Sequence, residues 1–102
     1  MNTELSVKTT INDIEPKLDK NQNLYFKLLV KWNENTQTFY AFSHNLSAET
    51  LQTLKETPEQ FINQLVLITY EKLENKDENG TFFKVKQIQL ITAVYLFKKI
   101  SQ

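Results

Sequence analysis

Apolar and polar residues alternate with a period of two along most of this chain, and the period changes only between residues 46 and 62. A two-residue repeat places one set of side chains on each face of a strand, so the pattern predicts a mostly β protein interrupted by one helical stretch. The pattern is most developed in residues 64–91, QLVLITYEKLENKDENGTFFKVKQIQLI. Two apolar, β-branched and aromatic runs, 65–70 and 82–91, flank a polar segment at 74–81 that closes on Asn79-Gly80. That dipeptide tolerates the positive φ of a tight turn, and the segment predicts one long hairpin. Gly80 is the sole glycine of the sequence.

Upstream, Leu5, Val7, Thr9 and Ile11 alternate with Ser6, Lys8, Thr10 and Asn12, which predicts a half-buried first strand. Ile14 breaks the parity, and a bulge or bend after Ile11 would return it to the core side. Residues 16–23, PKLDKNQN, are polar and begin with proline, so a loop is expected there. A second strand at 24–32 places Leu24, Phe26, Leu28, Val30 and Trp32 on one face and Tyr25, Lys27, Leu29 and Lys31 on the other. Residues 33–37 form a polar connection, and a third strand covers 38–42. Parity alone leaves open whether Phe39 and Ala41 or Tyr40 and Phe42 point inward. Ser47 has the character of an N-cap, and Leu46 and Leu51 stand where a hydrophobic staple would hold them. Thr57-Pro58 supplies a second start signal, so 47–62 is one kinked helix or two short ones, with Phe61 and Ile62 facing the sheet.

The predicted order is strand, strand, strand, helix, strand, strand, an all-β chain with one helix. It resembles the oligonucleotide/oligosaccharide-binding barrel, a five-stranded Greek-key barrel with a helix between its third and fourth strands. Within that superfold the final hairpin, from Leu65 through Asn79-Gly80 to Gln87, Ile88, Gln89, Leu90 and Ile91, is similar to that of bacterial single-stranded DNA-binding proteins and primosomal replication protein N. The chain departs from them in having Asn63-Gln64 where they have glycine, and in lacking arginine. The barrel is expected over 1–92. Residues 93–102, AVYLFKKISQ, form an apolar extension for which an extra strand, a short helix and an oligomer contact, such as a homodimer, all stay open.

A length of 102 residues is enough for one core. There is no cysteine, hence neither disulfide nor thiolate metal site. The start, MNTELSVK, has neither the basic nor the apolar region of a signal peptide, and no apolar run approaches the ~20 residues of a membrane helix, so a cytoplasmic protein without a membrane partner is expected. Twelve basic and twelve acidic residues give zero net charge, which removes the general electrostatic case for nucleic acid. Every basic residue is lysine, and without arginine's bidentate fork, sequence-specific duplex readout is disfavoured.

Catalysis finds little support. His44 follows Ser43 at a strand end, and adjacency in sequence does not pair a nucleophile with a base. No spacing among Glu71, Glu74, Asp77 and Glu78 matches a metal loop, and one glycine excludes a phosphate-cradling loop. Neither an enzyme nor a cofactor or metal is expected. The resemblance implies a ligand crossing the outer face of strands two and three. On this chain Tyr25, Lys27, Lys31, Trp32, Tyr40 and Phe42 are the candidates, with Lys84 and Lys86 extending a basic track. Aromatic rings stack on any base and lysines neutralise phosphate without demanding a geometry. The expected ligand is single-stranded DNA, with RNA differing only in the sugar. Against it stands the acidic segment 71–78, which would suit a protein partner, so a barrel that docks on protein and binds no nucleic acid is the alternative. Phe26, Trp32, Phe61 and Phe83 are the aromatics best suited to the core.

Overall fold

A computed structural model describes residues 3–75 and 80–91, and these form five strands and one α-helix. The strands are β1 (Thr3–Leu18), β2 (Leu24–Trp32), β3 (Asn35–Phe42), β4 (Leu65–Asn75) and β5 (Gly80–Leu90), with helix α1 (Ala48–Glu56) between β3 and β4. They close into a barrel in the order β1-β2-β3-β5-β4, with β1 returning to pair with β4. All pairings are antiparallel except β3 with β5, where Phe39 meets Phe83 and Tyr40 meets Lys84. The closed five-stranded barrel and the element order match the expected fold class and are compatible with an oligonucleotide/oligosaccharide-binding fold.

Closure depends on β1 serving two partners. Its residues up to Thr10 pair with β4 and those from Ile11 onward pair with β2. The register shifts between Ile11 and Asp13, where a bulge was expected, and Ile14 packs against the core. Pro16 does not begin a loop. It lies within β1 opposite Phe26, tolerated because this half of β1 pairs with β2 on one edge only, so no ladder bond is lost. The β1–β2 connection is correspondingly short. The Asp19 carboxylate accepts from the backbone N–H groups of Asn21 and Asn23, both at 2.8 Å, while Gln22 takes φ 67°.

The β2–β3 connection is shorter than expected as well: Trp32 pairs with Asn35, and Asn33 supplies the positive φ of 55° at the turn. The same conformation recurs at Asn63, φ 60°, whose N–H donates to the Ile11 carbonyl at 2.8 Å. Asn63 belongs to the Asn63-Gln64 pair that stands where glycine was expected from the resemblance, and asparagine is among the few other residues that enter the left-handed region readily.

The face of β3 left open by the sequence is settled by its partners. Phe39 and Ala41 point inward beside Leu28 and Phe26, and Tyr40 and Phe42 point outward beside Lys27 and Tyr25. On β4 the buried residues are Val66, Ile68 and Tyr70. The core is completed by Ile11, Val30, Leu54, Phe61, Val85 and Ile88, with Trp32 and Phe83 packed partly buried against it.

Ser47 caps α1 as expected, accepting from the Thr50 N–H at 3.3 Å. Thr50 is the buried polar residue that docks the helix: its hydroxyl accepts from the Ile88 N–H at 3.0 Å. Thr57 does not cap the second segment through its side chain, and Pro58–Gln60 is a single 3-10 turn. β4 runs on through Glu71 and Glu74 to Asn75, so these two carboxylates belong to the strand. Asp77, Glu78 and Asn79 lie outside the described residues, as does the extension 93–102.

Candidate nucleic-acid interface

The period-two alternation that buries Phe26, Leu28 and Val30 necessarily turns Tyr25, Lys27, Leu29 and Lys31 outward. β3 adds Phe42 opposite Tyr25 and Tyr40 opposite Lys27. β5 lies on the other side of β3 and adds Phe82 and Lys84, the residues alternating with inward Phe83 and Val85. Four rings from three strands thereby gather on the outside of the barrel, a short row of Phe82, Tyr40 and Phe42 with Tyr25 packed beside its last two members. Phe82 meets Tyr40 edge-on with centroids 6.3 Å apart, Tyr40 stacks on Phe42 at 6.3 Å with planes 17° apart, and Tyr25 lies beside both, 5.7 Å from Phe42 and 6.5 Å from Tyr40. His44, in the 3-10 turn Ser43–Asn45, continues the row 6.2 Å beyond Phe42. All four rings are half-buried, flanked by neighbours on the sheet and open above it.

The cations are set around the rings. Lys27 and Lys84 stand on either side of Tyr40 in the register, and neither makes an ion pair among the described residues. Lys17 stands opposite Tyr25 and is 3.6 Å from Glu15, which itself lies opposite Lys27. The positive character along β2 is therefore interrupted by Leu29 and bordered by Glu15.

Lys86 has another environment. The register shift between Thr69 and Tyr70 leaves it as the extra residue of a bulge on β5. Its ammonium lies 3.1 Å from Glu4 and 3.3 Å from Glu71. The hydrogen bond to Glu4, then that to Glu71, holds its pKa above the ordinary lysine value. Its charge is shared between two carboxylates from β1 and β4, and Glu71, part of the acidic segment, is in turn partly neutralised.

Trp32 sits at the end of β2 on the opposite face from Tyr25. Its ring lies 5.6 Å from Phe83 and 5.7 Å from Phe39, with Tyr70 edge-on at 6.5 Å. Lys31, exposed on the outer side of β2, is separated from Lys27 by Leu29. The sequence candidates thus divide: Tyr25, Lys27, Tyr40, Phe42 and Lys84 come together, Lys31 and Trp32 lie at the far end of β2, and Lys86 lies among carboxylates. Two members of the assembled face, Phe82 and Lys17, were not singled out from the sequence. Phe82 shared the outward parity of Lys84, and Lys17 was hidden by the loop assigned from Pro16.

Nucleophilic chemistry finds no arrangement at His44, since the Ser43 hydroxyl donates to the Leu24 carbonyl at 2.7 Å and His44 Nε2 is 3.1 Å from the Asn45 amide. Among the described residues, no three His, Asp or Glu side chains converge as a metal site, and no helix is long and apolar enough to cross a membrane. No protein-family model matches the chain, and no curated protein matches it in sequence.

Proposed function

We propose that this protein binds single-stranded DNA with little sequence preference, by stacking bases on the outer aromatic row and contacting phosphate through lysines, as an accessory to replication or recombination. The observation that carries the reading is the cluster of Phe82, Tyr40, Phe42 and Tyr25, flanked at its centre by Lys27 and Lys84. Unstacked bases present an apolar face to the rings, and the contiguous cluster offers a broader stacking surface than a scattered set of aromatics would. Lysine neutralises phosphate from any approach, consistent with a ligand read by shape and not by sequence. A duplex, whose bases are already stacked on one another, leaves no base face free for the rings. In this reading the protein performs no chemistry, and the barrel serves as a rigid support.

Fluorescence anisotropy of a labelled oligothymidine with the full-length protein tests the reading. Saturable binding is expected at low salt, weakening toward physiological salt. Absence of saturable binding at low salt overturns it. Competition by single-stranded RNA separates the two nucleic acids, since no group on the row is committed to a 2′-hydroxyl.

One feature favours a second reading, in which the same face docks on a protein. Half-buried Leu73 stands opposite Phe82, and half-buried Leu29 lies beside Lys27 on β2, so apolar surface extends beyond the rings. A homodimer through this face or through the extension 93–102 is detected by light scattering of the full-length chain and of one ending at Thr92.

A further inference from the structure

The place where β1 exchanges partners opens a cleft at the far end of β2. β1 pairs with β2 from Ile11 onward and with β4 up to Thr10, so β1 and β2 separate beyond the Ile11–Val30 pair. The gap is an open cleft of about 450 Å³ lined by Val7, Trp32 and Leu65 on its apolar side and by Lys8, Lys31 and Asn33 on its polar side. That volume falls in the range of small-ligand sites, ~300–1,000 Å³. Among the described residues, no carboxylate lines it. Its wall is held by the Thr9 hydroxyl, which donates to the Lys31 carbonyl and ties β1 to β2 where the ladder has ended.

We infer that this cleft is a second nucleotide subsite, reached by a single strand that leaves the aromatic row and runs along β2; the inference rests on the proposed single-strand binding. Three observations favour it. Lys31 stands on the same outward row of β2 as Tyr25 and Lys27, so the lysine side of the cleft continues that outer face, while Trp32 lines the cleft from the other face of the strand. Lys31 lies four residue steps along the strand from Lys27, about 13 Å at ~3.3 Å per step, the span of about four stacked nucleotides or fewer extended ones. Trp32 is held from behind by Phe39, Phe83 and Tyr70 and turns its remaining surface to the cleft, a platform fixed before any ligand arrives. Lys8 and Lys31 meet the phosphate of the base on Trp32.

The test compares oligothymidines of about six and about twelve nucleotides, within the ~4–16 that one such barrel accommodates, on the full-length protein and on the double variant Lys8→Ala, Lys31→Ala. Neither lysine makes an ion pair among the described residues, and the Thr9 bond uses the Lys31 backbone, so the variant keeps the fold. The longer oligonucleotide is expected to quench the emission of Trp32, the sole tryptophan, and to lose about tenfold in affinity in the variant, the combined effect of two exposed ion pairs. The shorter one is expected to bind without quenching and to lose less than about twofold. Equal losses for both lengths, or no quenching by the longer one, overturn the subsite while leaving the aromatic row intact. Binding of neither length overturns the proposed function itself. Quenching by a polyglutamate peptide that the variant abolishes assigns the cleft to an acidic protein segment and also overturns the subsite.

Discussion

Tyr40 and Phe39 are neighbours in sequence on opposite faces of β3, and their substitution separates binding from stability. Tyr40 has Tyr25, Phe42 and Phe82 within 6.5 Å. Tyr40→Ala is expected to cost about 1–3 kcal/mol of single-strand affinity, the worth of one stacked base, with little change in the thermal midpoint. Phe39 is fully buried between Phe83, Trp32 and Tyr70. Phe39→Ala is expected to destabilise the fold by about 3–5 kcal/mol in a denaturant titration, through lost contacts and the cavity left behind. Thr50 belongs with the core despite its polarity. Thr50→Val keeps the shape but orphans the Ile88 N–H, at about 1–3 kcal/mol. Alanine at an exposed helix position such as Gln52 serves as the control for that measurement.

The β1–β2 turn shows how one side chain sets an element. The backbone N–H of Asn23, the strongest of several contributions, holds the Asp19 carboxyl below its ordinary pKa. A carboxylate lowered on folding contributes stability above its unfolded pKa, ~3.9 for aspartate, and loses it as pH falls through the folded value. Asp19→Asn should therefore melt below the wild type at neutral pH, and the two midpoints should converge as pH falls below about 4; parallel curves down to that acidity would contradict the role given to the carboxylate. This same turn shows why part of the fold was hidden in the sequence. Alternation identified β2 outright because both of its faces are strongly patterned, and Ser47 marked the start of α1 because the cap is a local interaction. Pro16 misled because its tolerance depends on an edge of β1 left unpaired by a strand fifty residues away. β3 was ambiguous for the opposite reason: Phe39, Tyr40, Ala41 and Phe42 are all apolar or aromatic, and only pairing with β2 decides which side is inside. The candidate site divides in the same manner. Tyr25 and Lys27 followed from parity, whereas joining Phe82 to Tyr40 requires the parallel β3–β5 register, and the carboxylates around Lys86 require β1 and β4 together.

At the scale of the whole molecule, zero net charge means that any attraction for phosphate is local, set by where lysines escape their acidic neighbours. Lys86 does not escape, and Lys17 only partly does. Lys27 and Lys84 remain on the aromatic row, and Lys8 and Lys31 at the cleft, so the described surface offers about four or five lysines to a single strand. Each neutralised phosphate contributes ~0.7 to the slope of log affinity against log salt concentration for single strands. The expected slope is therefore about −3 and no steeper than about −3.5, measured by anisotropy across a salt series with an oligonucleotide long enough to reach Trp32. Affinity beyond that electrostatic share has to come from stacking, which salt screens little. Tyr40→Ala should accordingly lower the whole line while keeping its slope, and Lys27→Ala should flatten the slope by about 0.7. A tyrosine variant that changes the slope, or a lysine variant that leaves it unchanged, would mean that phosphate and base follow a different path over the barrel from the one its outer face provides.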